Sequence, residues 1–293
     1  MIVIKNIMAL IGRSMSRGPG IANALRLLYH QGGNAMQFVL GSLDQYSFIP
    51  IHHEDIRKVN KMRQKYGFYV VIHGKYLYNF CRPSHSVSSQ QSLLVRELEE
   101  AALINCDVVI HQGNNIKSLK QSEEVAHQNY AENLSLVLDR ATGHNKILLE
   151  NSSRQGTECG YTLDQLYDIY IRIPEKYRDR IGFCLDLCHV FVAGSLDVRC
   201  AENVRAFLVK FEKLFGVEKL QLVHFNDSAV PFNGANDNHA SILEGYIGSA
   251  ELGGCKDGFI MIVQYCKNHN IPMILETPTA NISQEITLLK SWF

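Results

Sequence analysis

Eight short apolar runs punctuate this chain, mostly separated by segments with helical spacing, and that alternation constrains the fold more than any other feature. The runs are 7–12, 35–40, 69–72, 108–110, 147–149, 181–185, 220–223 and 273–275. Apart from Gln37 and Gln221 they are continuously apolar, as expected of strands covered on both faces; a strand with one wet face would alternate. Between them lie helical patterns at 21–29, 55–66, 88–105, 122–142, 162–173, 203–215 and 259–267, and a short helix ends the chain. Strands separated by helices pair in parallel, because parallel neighbours need a long crossover. Eight such units in 293 residues predict an α/β fold, a single-domain (β/α)8 TIM barrel over 1–293, with a doubly wound open sheet as the alternative. No low-complexity linker or 20–50-residue repeat divides the chain.

Local signals refine the helices. Thr162 is placed to cap the 162–173 helix with Asp164 in its first turn, and Gly216 to close 203–215. Leu93, Leu94, Leu98 and Leu103 are expected to form the core stripe of 88–105. Val125, Leu134, Leu136, Val137 and Leu138 are expected to do the same for 122–142.

Composition narrows the function classes. Lys plus Arg and Asp plus Glu both number 29, so no global basic excess advertises a nucleic-acid binder; such a partner would need locally clustered cations. Eight cysteines without a C-x-x-C pair read as reduced thiols of an intracellular protein. Residues 1–10 are apolar but short, interrupted by Lys5 and Asn6, and lack a cleavage-site pattern; no apolar run reaches membrane-spanning length. A soluble, unexported protein is expected.

The ends of the strand runs carry the chemistry. Six consecutive runs finish at a metal-capable residue: His73, His111, Glu150, Asp186, His224 and Glu276. The carboxyl ends of barrel strands share one face, where active sites form, so these side chains are expected to converge there. His189, Asp237 and His239 lie just downstream in the loops, the last two spaced i, i+2. A lone histidine or glutamate at a strand end is usually a satisfied polar residue; six in register are not explained that way. An all-imidazole and carboxylate set suits zinc or manganese at a catalytic site. Nine ligands exceed the needs of one ion, which points to a cluster. Clustered divalent cations favour phosphoester hydrolysis.

At these residues the chain resembles the endonuclease IV family of apurinic/apyrimidinic (AP) endonucleases. The resemblance is carried by 182–189 (GFCLDLCH), 149–156 (LENSSRQG), 224–239, 244–248 (EGYIG), His73-Gly-Lys-Tyr76-Leu77 and Ile110-His111-Gln-Gly113, and runs from about Ile11 to the last helix. It implies three zinc ions, with manganese possible at one site. His73 and His111 resemble ligands of the first, and Glu150 the carboxylate bridging first and second. Asp186, His224 and Glu276 resemble ligands of the second, and His189, Asp237 and His239 those of the third. The family cuts DNA on the 5′ side of an abasic sugar, leaving a 3′-hydroxyl, and trims blocked 3′ ends. Glu150 or Glu276 is expected to take the proton of the attacking water.

The implied partner is double-stranded DNA with abasic sites or blocked 3′ ends, bound by a monomer in the cytoplasm, with a nucleus or virus particle as other settings. An abasic nucleotide is poorly stacked and costs less to extrude than a normal one. Tyr76 and Leu77 match the family's DNA wedge, and Lys117, Lys120 and Arg154 are candidates for phosphate contacts. Three departures bear on DNA contacts: the 41–46 loop lacks the arginine that some members insert, Ala229 stands where many carry lysine, and Leu187 replaces a threonine. A sugar isomerase or epimerase on the same barrel, and a non-catalytic damaged-DNA binder, are the competing readings. The His189, Asp237 and His239 set argues against the first and the intact ligands against the second.

Overall fold

The computed structural model describes residues 9–18, 20–278 and 281–293. Its strands, in chain order, are β1 (Ile11–Ser14), β2 (Ala35–Val39), β3 (Tyr69–His73), β4 (Asp107–Ile110), β5 (Ile147–Glu150), β6 (Ile181–Asp186), β7 (Leu220–His224), β8 (Asp227–Ser228), β9 (His239–Ala240) and β10 (Met273–Leu275). β1 to β7 and β10 form a closed parallel barrel, and β8 and β9 pair as a separate antiparallel ribbon. β1 pairs with both β2 and β10, so the ring has no edge and the open-sheet alternative is excluded. The first strand lies C-terminal to its expected place: residues 7 and 8 of the 7–12 run are outside the described residues, and pairing extends through Arg13 and Ser14. Gly12 permits this approach, since a β-carbon there would fall 1.6 Å from the Ala35 carbonyl oxygen.

The continuous apolar runs have a direct cause. Ala35, Val71, Val109, Leu148, Cys184, Leu222 and Ile274, one from each of seven strands, form a buried cluster inside the ring. Their neighbours along the strands, such as Phe38, Ile72, Val108, Leu149 and Phe183, belong to the larger core beneath the helices. Alternate residues thus meet two different apolar layers. Between β6 and β7 the register shifts at Phe183/Cys184, where Leu220 and Leu222 are the successive partners. The shift keeps Asp186 opposite His224.

The helices are α1 (Ile21–His30), α2 (His53–Tyr66), α3 (Ser88–Leu103), α4 (Glu123–Arg140), α5 (Leu163–Arg172), α6 (Glu175–Arg178), α7 (Leu187–Val192), α8 (Ala201–Phe215), α9 (Asp257–His269) and α10 (Ile282–Lys290). Thr162 caps α5 by accepting from the Gln165 amide, and Gly216 closes α8. Two expected stripes need correction. Leu103 on α3, and Val125 and Leu136 on α4, are exposed. Leu103 lies five residues, about 140°, beyond Leu98; Leu136 lies two residues, about 200°, from Leu134. Neither shares a face with its supposed partner. The buried side of α4 is instead Ala126, Tyr130, Ala131, Leu134, Val137 and Leu138, at i, i+3 and i+4 spacing. Among the described residues, no helix is long and apolar enough to cross a membrane.

Candidate metal-binding active site

The strand pleat builds the site. Side chains two residues apart point the same way, so the residue two beyond each member of the inner apolar layer also faces the axis, one layer higher. Val71 leads to His73, Val109 to His111, Leu148 to Glu150, Cys184 to Asp186, Leu222 to His224 and Ile274 to Glu276. The same step from Ala35 leads to Gln37, an amide that sequence reasoning missed because it is not a usual ligand type. Gln37 Nε2 donates to Glu276 Oε1 at 2.6 Å, and its Oε1 lies 2.8 Å from His224 Nε2.

Four overlapping groups result among the described residues, in each of which potential ligand atoms lie within 4.8 Å of one another: His73, His111 and Glu150; Glu150, Asp186, His224 and Glu276; His189, Asp237 and His239; and Asp186, Cys188 and His239, which joins the previous two. Glu150 belongs to two of them. Its Oε2 is 3.4 Å from His73 Nε2 and 3.5 Å from His111 Nε2, while its Oε1 is 3.0 Å from His224 Nδ1. Asp237 stands between His189 and His239, at 3.1 and 3.0 Å. His239 Nε2 is also 3.8 Å from Asp186 Oδ2, which links the third group to the second.

Local structure aims each donor. Asp186 is both a member of the second group and the N-cap of α7, accepting from the His189 amide at 2.8 Å. The cap sets His189 one turn above Asp186, and the Asn151 carbonyl, 2.9 Å from His189 Nδ1, directs Nε2 toward Asp237. His73 is aimed likewise by the Gly74 carbonyl, 2.7 Å from its Nδ1. Such contacts fix which ring nitrogen is available. Asn226 donates to Asp186 at 2.7 Å and to Glu276 at 3.3 Å, and accepts from the Glu276 amide at 2.8 Å. Asp227 accepts amides from Leu243, Gly245, Ile247 and Gly248, which folds the 241–248 segment over the ribbon.

Charge is finely divided here. Burial lowers the His111 imidazolium to about 4, with His73 and His189 reinforcing it against Glu150. Burial also opposes protonation of His239, but the adjacent Asp237 and Asp186 carboxylates raise it to about 9. Burial pushes Asp237 upward, yet His189 and His239 hold it well below the usual carboxylate range. Glu150 Oε2, His189 Nε2 and His239 Nε2 are buried without a hydrogen-bond partner. Unsatisfied donor atoms aimed into a bowl of acids and imidazoles fit divalent cations, for which they would exchange their protons.

Residues 25–254 match the family model for xylose isomerase-like TIM barrels. An endonuclease 4 of Acanthamoeba polyphaga mimivirus is 30% identical over 288 residues, covering 97% of this chain and 90% of the relative. An endonuclease 4 of Chlorobium phaeobacteroides is 31% identical over 291 residues, covering 97% and 98%. The chain belongs to the endonuclease IV family. The solved endonuclease IV of Thermus thermophilus superposes with a TM-score of 0.77 at 24% identity, covering 97% of this chain and 98% of that one. A D-tagatose 3-epimerase-like protein superposes with a TM-score of 0.67 at 18% identity, covering 96% of each chain. The barrel is thus shared with sugar-converting enzymes, and the site chemistry must separate them.

In this endonuclease IV chain, the DNA-contact candidates fall in two places. Tyr76 is 53% exposed at the rim, its ring edge-on to His73 and His111 at centroid distances of 5.5 and 5.2 Å, with Leu77 half-buried beside it. Lys117, Lys120 and Arg154 meet around one surface cavity of about 500 Å³. Arg154 also donates to Asn233 Oδ1 at 2.7 Å, so it ties the loop after β5 to the turn between β8 and β9.

Proposed function

We propose that this chain is a zinc-dependent AP endonuclease that hydrolyses the phosphodiester 5′ to an abasic site in double-stranded DNA, leaves a 3′-hydroxyl and trims blocked 3′ ends. The observation that carries the reading is Glu150, one carboxylate shared by two of the contiguous ligand groups. In this reading His73, His111 and Glu150 hold one zinc. Glu150, Asp186, His224 and Glu276 hold the second, and His189, Asp237 and His239 hold the third, with manganese acceptable at one position. Bound together, such cations supply Lewis acidity that activates water, neutralises the phosphoryl charge and stabilises the departing oxygen. The protein's part is positioning and proton transfer. Glu150 is 1% exposed and hemmed by four imidazoles, which suits a bridging ligand. Glu276 is more open at the bowl, with Gln37 and Asn226 steering its oxygens, and is assigned the proton of the attacking water.

Tyr76 and Leu77 wedge the duplex at the missing base, and Lys117, Lys120 and Arg154 track phosphates. The names of the curated relatives and the match along nearly the whole chain support this reading over a sugar epimerase, for which the third ligand group has no task. The test is incision of a synthetic abasic duplex with and without chelator, with an intact duplex as control, and elemental analysis of the same sample. About three zinc ions per chain and chelator-sensitive cleavage at the 5′ side are expected. A zinc-reconstituted sample that leaves the abasic strand whole refutes the assignment.

A further inference from the structure

A second cluster of reactive side chains lies outside the metal bowl. Cys81 comes from the loop after β3, His127 from α4, Cys159 from the loop after β5 and Asp168 from α5. The Cys159 thiol neighbours both Cys81 and His127. Behind the imidazole, His127 Nδ1 is 2.7 Å from Asp168 Oδ2, and Asp168 is gripped by Arg172 through two bonds of 3.0 Å. That anchor leaves Nε2 as the unbonded nitrogen of a ring that neighbours the thiol. Nε2 is buried, makes no hydrogen bond, and lies 4.0 Å from the nearest carboxylate oxygen, on Glu123. Carboxylate, imidazole and thiol in this order form an arrangement that generates a thiolate.

Two further observations give the thiol a reagent and a partner. Cys159 is only 3% exposed, but it lines the cavity of about 500 Å³ that also holds Lys117, Lys120 and Arg154, so a small uncharged oxidant has a route to it. Cys81 is fully buried on its other side, with its sulfur 3.4 Å from the Gln112 carbonyl. The hydrogen bond with Cys81, opposed by burial and assisted by His127, holds the Cys159 thiol below its ordinary range, whereas the Cys81 thiol is raised.

We propose that Cys159 is a peroxide-reactive thiol with Cys81 as its resolving partner, and that the two close a disulfide tying the loop after His73 to the loop after Glu150. The Cys159 thiolate attacks one oxygen of hydrogen peroxide, the O–O bond breaks, and the second oxygen leaves as water with the proton from His127. Cys159 is thereby oxidised to the sulfenic acid. Cys81 attacks the Cys159 sulfur and gives up its proton to the departing sulfenic oxygen. The S–S bond forms, the S–O bond breaks, and hydroxide leaves with that proton as a second water. In sum, two thiols and one peroxide give one disulfide and two waters.

The experiment uses the reduced full-length chain, one equivalent of hydrogen peroxide, unfolding in N-ethylmaleimide and peptide mass spectrometry. The expected main product is the linked Cys81–Cys159 peptide, formed before the half-buried Cys200 and Cys255 react. Cys81→Ser stops at a sulfenic acid on Cys159 that dimedone captures. His127→Gln slows the reaction roughly tenfold or more. Oxidation of Cys200 or Cys255 first, with Cys81 and Cys159 both carrying maleimide, overturns the proposal. So does a Cys81→Ser protein that takes up no dimedone at Cys159.

Discussion

Glu97 offers a test of how the loops around the bowl are held. It sits on α3, fully buried, and accepts from Tyr78 Oη at 2.7 Å; its other oxygen has no hydrogen bond and lies 4.0 Å from Lys75 Nζ. Lys75 in turn donates to the carbonyls of Leu40 and Ser42 at 2.8 and 2.7 Å, so the trio binds the loops after β2 and β3 together. Burial raises the Glu97 carboxyl from 4.5 to about 7 despite Tyr78 and Lys75. Between those values the folded protein keeps a proton that the unfolded chain has released. Stability therefore falls as pH rises through that window, and the contribution is lost above about 7; it amounts to about 3 kcal/mol. Glu97→Gln stays neutral at every pH and can still accept from Tyr78. Urea unfolding of both proteins in chelator, from about pH 5 to about pH 8, is the assay. The ligand histidines titrate alike in both and cancel in the difference. The wild type should lose about 3 kcal/mol more than the variant across that range. Parallel stability curves would refute the reasoning.

Other perturbations follow from the same geometry. Glu276→Gln should retain binding to an abasic duplex while losing most incision, because a charged group facing the reacting phosphate is neutralised; unchanged cleavage in a gel assay would remove its assigned role. Tyr76→Ala, at an exposed rim position, should shift stability by no more than about 0.5 kcal/mol. It should weaken abasic-duplex binding roughly tenfold in a titration, through lost stacking. Asp227→Ala strands buried amides of the 241–248 segment and should cost about 3 kcal/mol or more in urea unfolding; a change below about 0.5 kcal/mol would show that the segment is held by other contacts.

How much of this was legible before the fold was seen depends on the length scale of each cause. The period-2 pleat is a property of the backbone alone, so a strand ending in His73 or Glu150 already implied which side chains share the inward face. Alternation of eight apolar runs with helices left only two architectures open, and pairing of β1 with β10 chose between them. His189 was legible by type. Its placement depended on Asp186 acting as the cap of a six-residue helix too short to leave a periodic pattern. Gln37 carried no signal as a residue type, although its place two beyond Ala35 is the same step that locates the other six.

Rotation of the helices was read less well. Leu103, Val125 and Leu136 are apolar and helical but point outward, because the angle around the helix axis, rather than apolarity, decides what a side chain meets. Furthest from view was the Cys81, His127, Cys159 and Asp168 cluster. No spacing rule joins residues from two loops and two helices, and only closure of the ring brings them into contact. The amino-acid sequence by itself determined the strand–helix alternation, the inward face of each strand and the ligand types at the strand ends, all consequences of local backbone geometry. The tertiary structure alone decided which of those side chains share a cation-sized space, which polar groups steer them and which distant thiols meet, because those depend on how separate elements pack.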